Sequence, residues 1–365
     1  MNNLEKKEKQ EIDKTNFSKR KETISLRILQ NFKKAGFIKD FFFDENFVLI
    51  NGECILVMEL LIKENIVVDH IITDIPYGTV NGLAIDGWKK NNSIPFWDKV
   101  IDKKEMFKKC FYISKPNSNL LLFSQEPLTH QLINHMNNFE KYSLSNKMIW
   151  IKNNHANGFN SKRTPLNYYE EILLVRKSLD ETNSIELREY FKKLLNFIPD
   201  KKKEIINKLG QGLDHCFRYE NRTFYIPTKQ NYDKLIQTYG IDKLDYFISY
   251  NELLKKWQTE NLTIFNPPNH CKIVKNVLDF KKDTNNIHPT QKPLALLKHL
   301  IKLFSNEIET ILDFTSGSGS TGIACLEMNR KFIGIELDPI FFKKSIEWYK
   351  KMKEKKIVNC KLIKY

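Results

Sequence analysis

The sequence has few of the features that mark secreted, membrane-spanning or metal-stabilised proteins. Its six cysteines are scattered through 365 residues, and no two of them form a Cys-x-x-Cys pair. This spacing argues against a zinc site and a disulfide framework, and it favours a reducing compartment. The run from Ile55 to Ile62 is broken by Glu59, so it falls short of a membrane span. With a charged rather than apolar amino terminus, the sequence predicts a soluble, cytoplasmic protein with no metal site and no membrane partner.

Acidic residues are fewer than basic ones. Lys and Arg number 59 against 44 Asp and Glu, which gives a net charge of +15 and a pI near 9.3. Such an excess favours a polyanionic partner such as nucleic acid. A Lys-rich composition bias would give the same charge without that partner, so charge alone identifies none. Hydrophobic residues make up 41% of the chain, enough for a large α/β domain and a smaller one.

A short segment after a predicted buried strand carries the first chemical signal. Residues 69–73 form an apolar, β-branched run, and Asp74-Ile75-Pro76-Tyr77 follows it directly. This order sets a carboxylate, a rigid turn and a flat ring at the carboxyl end of a strand, where open α/β sheets bind ligands. The same residues also fit a plain strand and tight turn in which Tyr77 is a hydrophobic plug.

A glycine-rich loop far along the chain has the pattern of a nucleotide site. An apolar run leads into Gly317-x-Gly319-x-x-Gly322, and a helix is predicted directly after it. Glycines there permit a tight turn and let a nucleotide approach the backbone at a helix amino terminus. A second predicted strand ends at Glu336, at the spacing typical of an acid that binds ribose hydroxyls.

With a third motif, the chain resembles the β class of amino-group DNA methyltransferases. Residues 288–293 read His-Pro-Thr-Gln-Lys-Pro, which is that family's signature before the glycine loop. The Asp-x-Pro-Tyr motif, the hexapeptide and the loop follow one another in the family's order, over roughly residues 46–176 and 284–348. The resemblance implies an α/β fold: a doubly wound, Rossmann-like sheet in circularly permuted motif order, with an inserted target-recognition domain.

The resemblance divides the chain into four regions. Residues 1–45 would be a charged and helical extension, 46–176 the catalytic half of the methyltransferase domain, 177–283 the target-recognition domain, and 284–365 the half that binds the cofactor. Basic and aromatic residues interleave in the third region, which fits phosphate contacts with base readers nearby. Any single lysine there fits a solvated surface equally well.

Three local predictions complete this outline. Apolar spacing predicts a helix between Ile24 and Phe43, interrupted at Gly36. Residues 79–98 are polar and contain glycine, so we expect a loop over the site. The chain is expected to end in a helix over 341–356 and a strand over 358–363.

The resemblance implies transfer of a methyl group from S-adenosylmethionine (AdoMet) to an exocyclic amine of a base flipped out of double-stranded DNA. Asp74 and the backbone carbonyl of Ile75 would accept the hydrogens of that amine. Pro76 would fix the direction of the carbonyl, and Tyr77 would stack on the base. Ile75 stands where the family has proline, but only its carbonyl is required. An Asp in the first position favours N6 of adenine, and N4 of cytosine stays open as the alternative.

The resemblance also implies which residues bind AdoMet. Lys292 would balance a carboxylate, and Glu336 would hold the ribose. Glu53 replaces the family's usual Asp beside the adenine, and Thr315 replaces an aromatic neighbour of the methionine part. The complete predicted set is Glu53, Cys54, His288, Thr290, Lys292, Asp313, Thr315, Gly317, Gly319 and Glu336.

Other functions fit the motifs less well. A nucleotide-dependent oxidoreductase would share the glycine loop and the acid, but it needs further strands and helices, and few residues follow Gly322. An inactive DNA-binding relative is opposed by the intact Asp74, Pro76 and Tyr77. The motif order argues against glutamine and RNA amino methyltransferases, and no Pro-Cys nucleophile supports carbon-5 cytosine chemistry. The recognition sequence, a homodimer and a cognate restriction endonuclease are left open.

Overall fold

The computed structural model describes most of the chain in two units. The described residues are 21–78, 100–137, 142–156, 161–177, 185–221, 223–261, 264–268, 273–284, 287–288 and 290–362. The first unit comprises residues 1–178 and 264–365, and the second comprises 179–263. The second unit is shorter than the predicted 177–283 region, because residues 264–283 belong with the first unit. The predicted loop over 79–98 and most of the charged arm lie outside the described residues.

The first unit alternates strands and helices. Its first half contains α1 (Leu26–Lys34), β1 (Asp40–Asp44), β2 (Phe47–Asn51), α2 (Cys54–Lys63), β3 (His70–Asp74), α3 (Lys103–Ile113), β4 (Asn119–Ser124), α4 (Leu128–Asn137), β5 (Tyr142–Ala156) and β6 (Asn167–Lys177). Its second half contains β7 (Val277–Asp279), α9 (Leu294–Phe304), β8 (Thr310–Asp313), α10 (Ser320–Glu327), β9 (Lys331–Glu336) and α11 (Pro339–Leu362).

The described strands form one sheet in the order β1-β2-β9-β8-β3-β4-β6-β5-β7. The five strands from β2 to β4 run parallel, while β1 and β6 pair antiparallel with their inner neighbours. Successive side chains of a strand point to opposite faces of the sheet. In β4, Leu120 and Leu122 therefore enter the core on one face, and Leu121 and Phe123 enter the core on the other. Both faces are covered, as the apolar runs predicted.

Helices from the two halves of the unit cover opposite faces. Val57 of α2 and Met106 of α3 belong to the first core, whereas Leu300 of α9 and Ile323 of α10 belong to the second. These four residues are fully buried. The doubly wound α/β sheet predicted from the sequence is confirmed by this arrangement.

The winding reverses between β3 and β8. The chain leaves β3 towards β4 on one side and leaves β8 towards β9 on the other, although β3 and β8 are paired through Ile71 and Leu312. Strands more than 200 residues apart in sequence thus lie side by side. At such a switch point, the carboxyl ends of the strands diverge and leave room for a ligand.

The second unit is helical and has its own core. It contains α5 (Ile185–Phe197), α6 (Lys202–Leu209), α7 (Lys229–Tyr239) and α8 (Tyr250–Asn261), with short 3-10 turns between them. Leu194, Tyr232 and Leu253 are fully buried at its centre. The Tyr232 hydroxyl donates to the Ile248 carbonyl at 2.6 Å, which satisfies that buried polar group. This region thus forms a packed domain although its sequence shows only weak apolar periodicity.

Two local predictions are wrong. Residues 40–43 form the strand β1 rather than a helix, because Phe41 and Phe43 pack on one face of the sheet and Phe42 on the other. Residues 358–362 continue α11 instead of forming a strand. The strand β9 pairs with β2 on one side and with β8 on the other, so it has no free edge with which residues 358–362 could pair. Among the described residues, no helix is long and apolar enough to cross a membrane.

Candidate active site

A cavity of about 710 Å³ lies where β3, β8 and β9 end. Its lining includes thirteen of the fourteen predicted site residues, drawn from four separate parts of the chain. They are Glu53, Cys54, Asp74, Ile75, Pro76, Tyr77, His288, Thr290, Lys292, Asp313, Thr315, Gly317 and Glu336. The switch point of the sheet therefore brings the three sequence motifs to one site.

Threonine hydroxyls join the ends of β3 and β8. Thr73 donates to Asp313 Oδ1 at 2.9 Å, and the Thr315 backbone N–H donates to the same oxygen at 3.2 Å. The Thr315 hydroxyl lies 2.6 Å from that of Thr73 and donates to the Asp74 carbonyl at 3.0 Å. Burial raises the pKa of Asp313 to about 6. Thr315, which replaces the family's aromatic residue, thus ties the glycine loop to the strand that carries Asp74.

Asp74 is paired with Lys292. The Lys292 ammonium lies 2.5 Å from Asp74 Oδ2, and only 7% of the Lys292 side chain is exposed. The sequence predicted that Lys292 would face a cofactor carboxylate, but in the structure it contacts carboxylates of the protein. Burial raises the pKa of Asp74, and the charge of Lys292 acts in the opposite direction. Asp74 Oδ1 is buried and has no hydrogen-bond partner among the described residues.

Ile75 and Tyr77, which follow Asp74 on either side of Pro76, combine packing with access to the cavity. The Ile75 side chain is 4% exposed and belongs to the core, while its residue also lines the cavity. The Tyr77 ring lies 5.8 Å from the Lys292 ammonium. Burial and the nearby charges of Asp74 and Glu170 raise the pKa of Tyr77 well above its ordinary value. Its hydroxyl therefore stays protonated beside the two carboxylates.

The glycine loop is held by Glu336. Gly317 adopts a φ of +53°, and its N–H donates to Glu336 Oε2 at 2.6 Å. The Asp338 N–H donates to the other carboxylate oxygen at 2.7 Å. Burial raises the pKa of Glu336 to about 7. The acid predicted to hold a ribose thus also shapes the loop on which a nucleotide would lie.

Gly319 is the predicted residue that is not among the cavity-lining ones. It precedes α10 with a φ of +79°, a conformation that favours glycine. A Cβ there would lie 3.0 Å from the Cβ of Ser345 in α11. The structure therefore explains this glycine by backbone conformation and close helix packing.

Glu53 and Cys54 begin α2 at the rim of the cavity. The Glu53 carboxylate caps the helix by accepting the N–H of Ile55 at 3.1 Å and of Leu56 at 2.8 Å. Cys54 is buried, and burial raises the pKa of its thiol, so the thiol is protonated at neutral pH. Both residues line the cavity, and capping gives Glu53 a structural role.

The hexapeptide contributes a neutral histidine. His288 Nδ1 accepts the Thr290 N–H at 3.2 Å, and its ring packs edge-on against Phe341 at 4.2 Å. Burial lowers the pKa of His288 to about 4, so the ring is uncharged at neutral pH. Pro289 lies outside the described residues.

The sequence analysis missed Glu170 and Lys152. Glu170 lines the cavity and lies 3.2 Å from the Lys292 ammonium, and Lys152 lies 3.1 Å from its other oxygen. Although burial raises the pKa of Glu170, the charges of Lys292 and Lys152 outweigh burial and lower it. One signal was available: two adjacent acids precede an apolar strand, and alternation must turn one of them towards each face.

A family model described as DNA methylase, of the N6/N4 methyltransferase type, matches residues 68–356. The chain is 44% identical over 86 residues to DNA adenine methyltransferase YhdJ of Escherichia coli, covering 21% of this chain and 29% of that protein. It is 46% identical over 66 residues to Type II methyltransferase M2.MboI of Moraxella bovis, covering 18% and 24%. The matched segments thus span less than a third of these relatives.

The M1.HpyAVI–SAM complex aligns with a TM-score of 0.47 at 19% identity, over 82% of this chain and 98% of that one.

Proposed function

This chain belongs to the DNA methylase family, and from that premise we propose that it transfers a methyl group from AdoMet to N6 of a flipped-out adenine in double-stranded DNA. One observation carries the proposal. Asp74, whose buried Oδ1 has no hydrogen-bond partner among the described residues, lines the same cavity as the glycine loop and Glu336. The matched family region contains all three motifs, and one relative is named an adenine methyltransferase.

The cavity residues fit AdoMet. A cavity of about 710 Å³ is within the range of small-molecule sites. Glu336 and the Gly317 loop supply acceptors and backbone amides, and the buried Ser316 hydroxyl has no hydrogen-bond partner among the described residues. The other predicted cofactor residues, except Gly319, also line the cavity. When bound, AdoMet supplies a methyl group made electrophilic by its sulfonium.

The reaction depends mainly on orientation. The lone pair of an exocyclic amine is delocalised into the base ring, so the nitrogen is a poor nucleophile until it becomes pyramidal. Asp74 Oδ1 and the Ile75 carbonyl would accept its two hydrogens and direct the lone pair towards the methyl group. Flipping the base costs a few kcal/mol, and stacking on Tyr77 offsets part of that cost.

The second unit, residues 179–263, is the proposed target-recognition domain. Its surface carries lysines and the aromatic Tyr225, which is 58% exposed and packs edge-on against Trp257 at 4.7 Å. Exposed rings beside basic side chains suit contacts to bases and phosphates. Because a relative is a Type II methyltransferase, a cognate restriction endonuclease and a homodimer are further partners to test by pull-down and sedimentation.

The direct test is incubation of the protein with tritiated AdoMet and unmethylated genomic DNA, followed by digestion to nucleosides and chromatography. We expect the label in N6-methyldeoxyadenosine. Label in N4-methyldeoxycytidine would replace adenine with cytosine as the target. As a control, DNA first saturated by this enzyme with unlabelled AdoMet should accept no further label. Absence of label from every base would contradict the proposed function.

A further inference from the structure

A linear chain of buried charges ends at the open oxygen of Asp74. It runs from Lys152 to Glu170 Oε1 at 3.1 Å, from Glu170 Oε2 to Lys292 at 3.2 Å, and from Lys292 to Asp74 Oδ2 at 2.5 Å. At the far end, Asp74 Oδ1 has no hydrogen-bond partner among the described residues. The other carboxylate oxygens of the chain each lie within 3.2 Å of an ammonium group, although Glu170 Oε2 makes no hydrogen bond among the described residues.

Three of the four members of the chain are enclosed, while the Asp74 side chain at its end is 22% exposed. The exposed fractions of the side chains are 3% for Lys152, 11% for Glu170 and 7% for Lys292. The Lys292 ammonium also lies 5.2 Å from the centre of the Phe123 ring. Charges in such surroundings interact strongly, and removing one partner leaves another charge buried without compensation. Glu170 is therefore the member that balances both lysines.

We propose that Glu170 is a positioning residue, which acts through Lys292 to hold Asp74 with Oδ1 directed to the target amine. This inference rests on the proposed function and identifies a further residue of the same site. Without Glu170, the Lys292 ammonium would have Asp74 as its remaining carboxylate partner and would be drawn more fully onto it. The carboxylate would then be less free to keep one oxygen for the amine.

The adjacent residue provides a matched control. Glu171 is on the same strand, has 4% of its side chain exposed, and pairs with Lys147 at 2.8 Å. Because neighbouring side chains of a strand point to opposite faces, it cannot join the chain of Glu170. It is also absent from the residues that line the cavity. Glu170→Gln and Glu171→Gln thus remove the same charge from the two faces of one strand.

The first measurement is the titration of Asp74 in the DNA-free protein, followed by NMR of 13C-labelled aspartate carboxylates and assigned with Asp74→Asn. The negative charge of Glu170 contributes to raising the pKa of Asp74. Glu170→Gln should therefore shift the Asp74 titration to lower pH, while Glu171→Gln should not. The other titratable or charged groups facing this chain are Tyr77, Lys282, His288 and Asp313.

The second measurement is single-turnover methyl transfer across pH. Glu170→Gln should lower the rate about 10- to 100-fold, the size typical when the partner that orients a functional group is removed. The acid limb of the pH–rate profile of Glu170→Gln should move to lower pH. The affinities of this variant for AdoMet and DNA should stay near those of the wild type. Glu171→Gln should keep the wild-type profile. A uniform loss at every pH, with an unmoved limb, would indicate a merely structural role and would overturn the inference.

The two proposals can fail separately. If the wild-type protein labels no DNA, the proposed function fails, and the Asp74 titration still decides the role of Glu170. If Glu170→Gln does not fold, Glu170→Asp keeps the charge on a shorter side chain. That variant should preserve the Asp74 titration and transfer methyl groups more slowly. A native rate in Glu170→Asp, or an unmoved Asp74 titration in Glu170→Gln, would overturn the inference.

Discussion

Replacing Glu336 with Gln tests the proposed cofactor site, because it replaces one carboxylate by a neutral amide of the same size. The side chain is 5% exposed and accepts two backbone N–H groups at 2.6 and 2.7 Å. If it also accepts ribose hydroxyls, Glu336→Gln loses a hydrogen bond to a charged group, which contributes roughly 1.5–3 kcal/mol. The Kd for AdoMet should therefore rise about 10- to 150-fold in calorimetric titrations at pH 8. DNA affinity should barely change.

The same residue predicts a pH dependence of cofactor binding. Burial raises the pKa of Glu336 from 4.5 to about 7, and hydroxyl donors favour the ionised form. AdoMet binding should therefore release a proton near neutrality, and wild-type affinity should fall about tenfold from pH 8 to pH 6. In the ligand-free protein, the raised pKa means that ionisation of Glu336 lowers the stability of the fold. The stability contributed by Glu336 is complete below about pH 4.5 and is lost as pH rises through about 7.

Two comparisons make this prediction decisive. Glu307→Gln changes an exposed acid that accepts Asn329 at 3.1 Å outside the cavity, so it should keep the native Kd and pH dependence. Asp313, whose pKa is raised to about 6, should still titrate in Glu336→Gln. Any pH dependence of AdoMet binding that this variant keeps below pH 6 therefore belongs to Asp313. Native AdoMet affinity together with a native pH dependence in Glu336→Gln would refute the assignment of this acid to the cofactor.

Two further predictions concern the second unit and Thr315. The logarithm of the DNA-binding constant should fall linearly with the logarithm of the salt concentration, and a flat response would contradict the proposed recognition domain. Exchanging residues 179–263 for the equivalent segment of a relative should change the methylated sequence. An unchanged target would also contradict that domain. Thr315→Val removes the hydrogen bond from the hydroxyl to the Asp74 carbonyl, and it should slow methyl transfer more than it weakens AdoMet binding. The control Thr129→Val removes a buried hydrogen bond to Ser124 at 2.9 Å and should leave the transfer rate unchanged. Equal transfer rates in these two variants would show that the Thr315 bond has no role in placing Asp74.

The sequence predicted the strands of the first unit well because both faces of the sheet are buried. Residues 119–124 and 331–336 are apolar runs that stop at polar residues, and they form β4 and β9. The motifs that follow β3 and β8 reach one cavity because these two paired strands end side by side at the switch point. This part of the fold follows from local pattern and chain direction alone.

Features that depend on pairing between distant strands could not be predicted. Glu170 reaches the cavity because it lies opposite Trp150 in the β5–β6 pair, and shifting that register by one residue would turn Glu171 to the cavity instead. Likewise, β7 has three residues and pairs with β5, which attaches residues 264–283 to the first unit. A run as short as 277–279 carries no periodic signal of its own.

The role of Asp74 is tested most directly by single-turnover methyl transfer with Asp74→Ala. The matched control is Asp44→Ala, since Asp44 also ends a strand but lies in the edge strand β1, where it pairs with Phe47, and does not line the cavity. Asp74→Ala should keep its fold, its AdoMet affinity and most of its DNA affinity, and should transfer the methyl group roughly a hundredfold more slowly or worse, as when a preorganised electrostatic contact is lost. Asp44→Ala should transfer at the wild-type rate. Methylation of DNA by Asp74→Ala at the native rate would contradict the assigned active site.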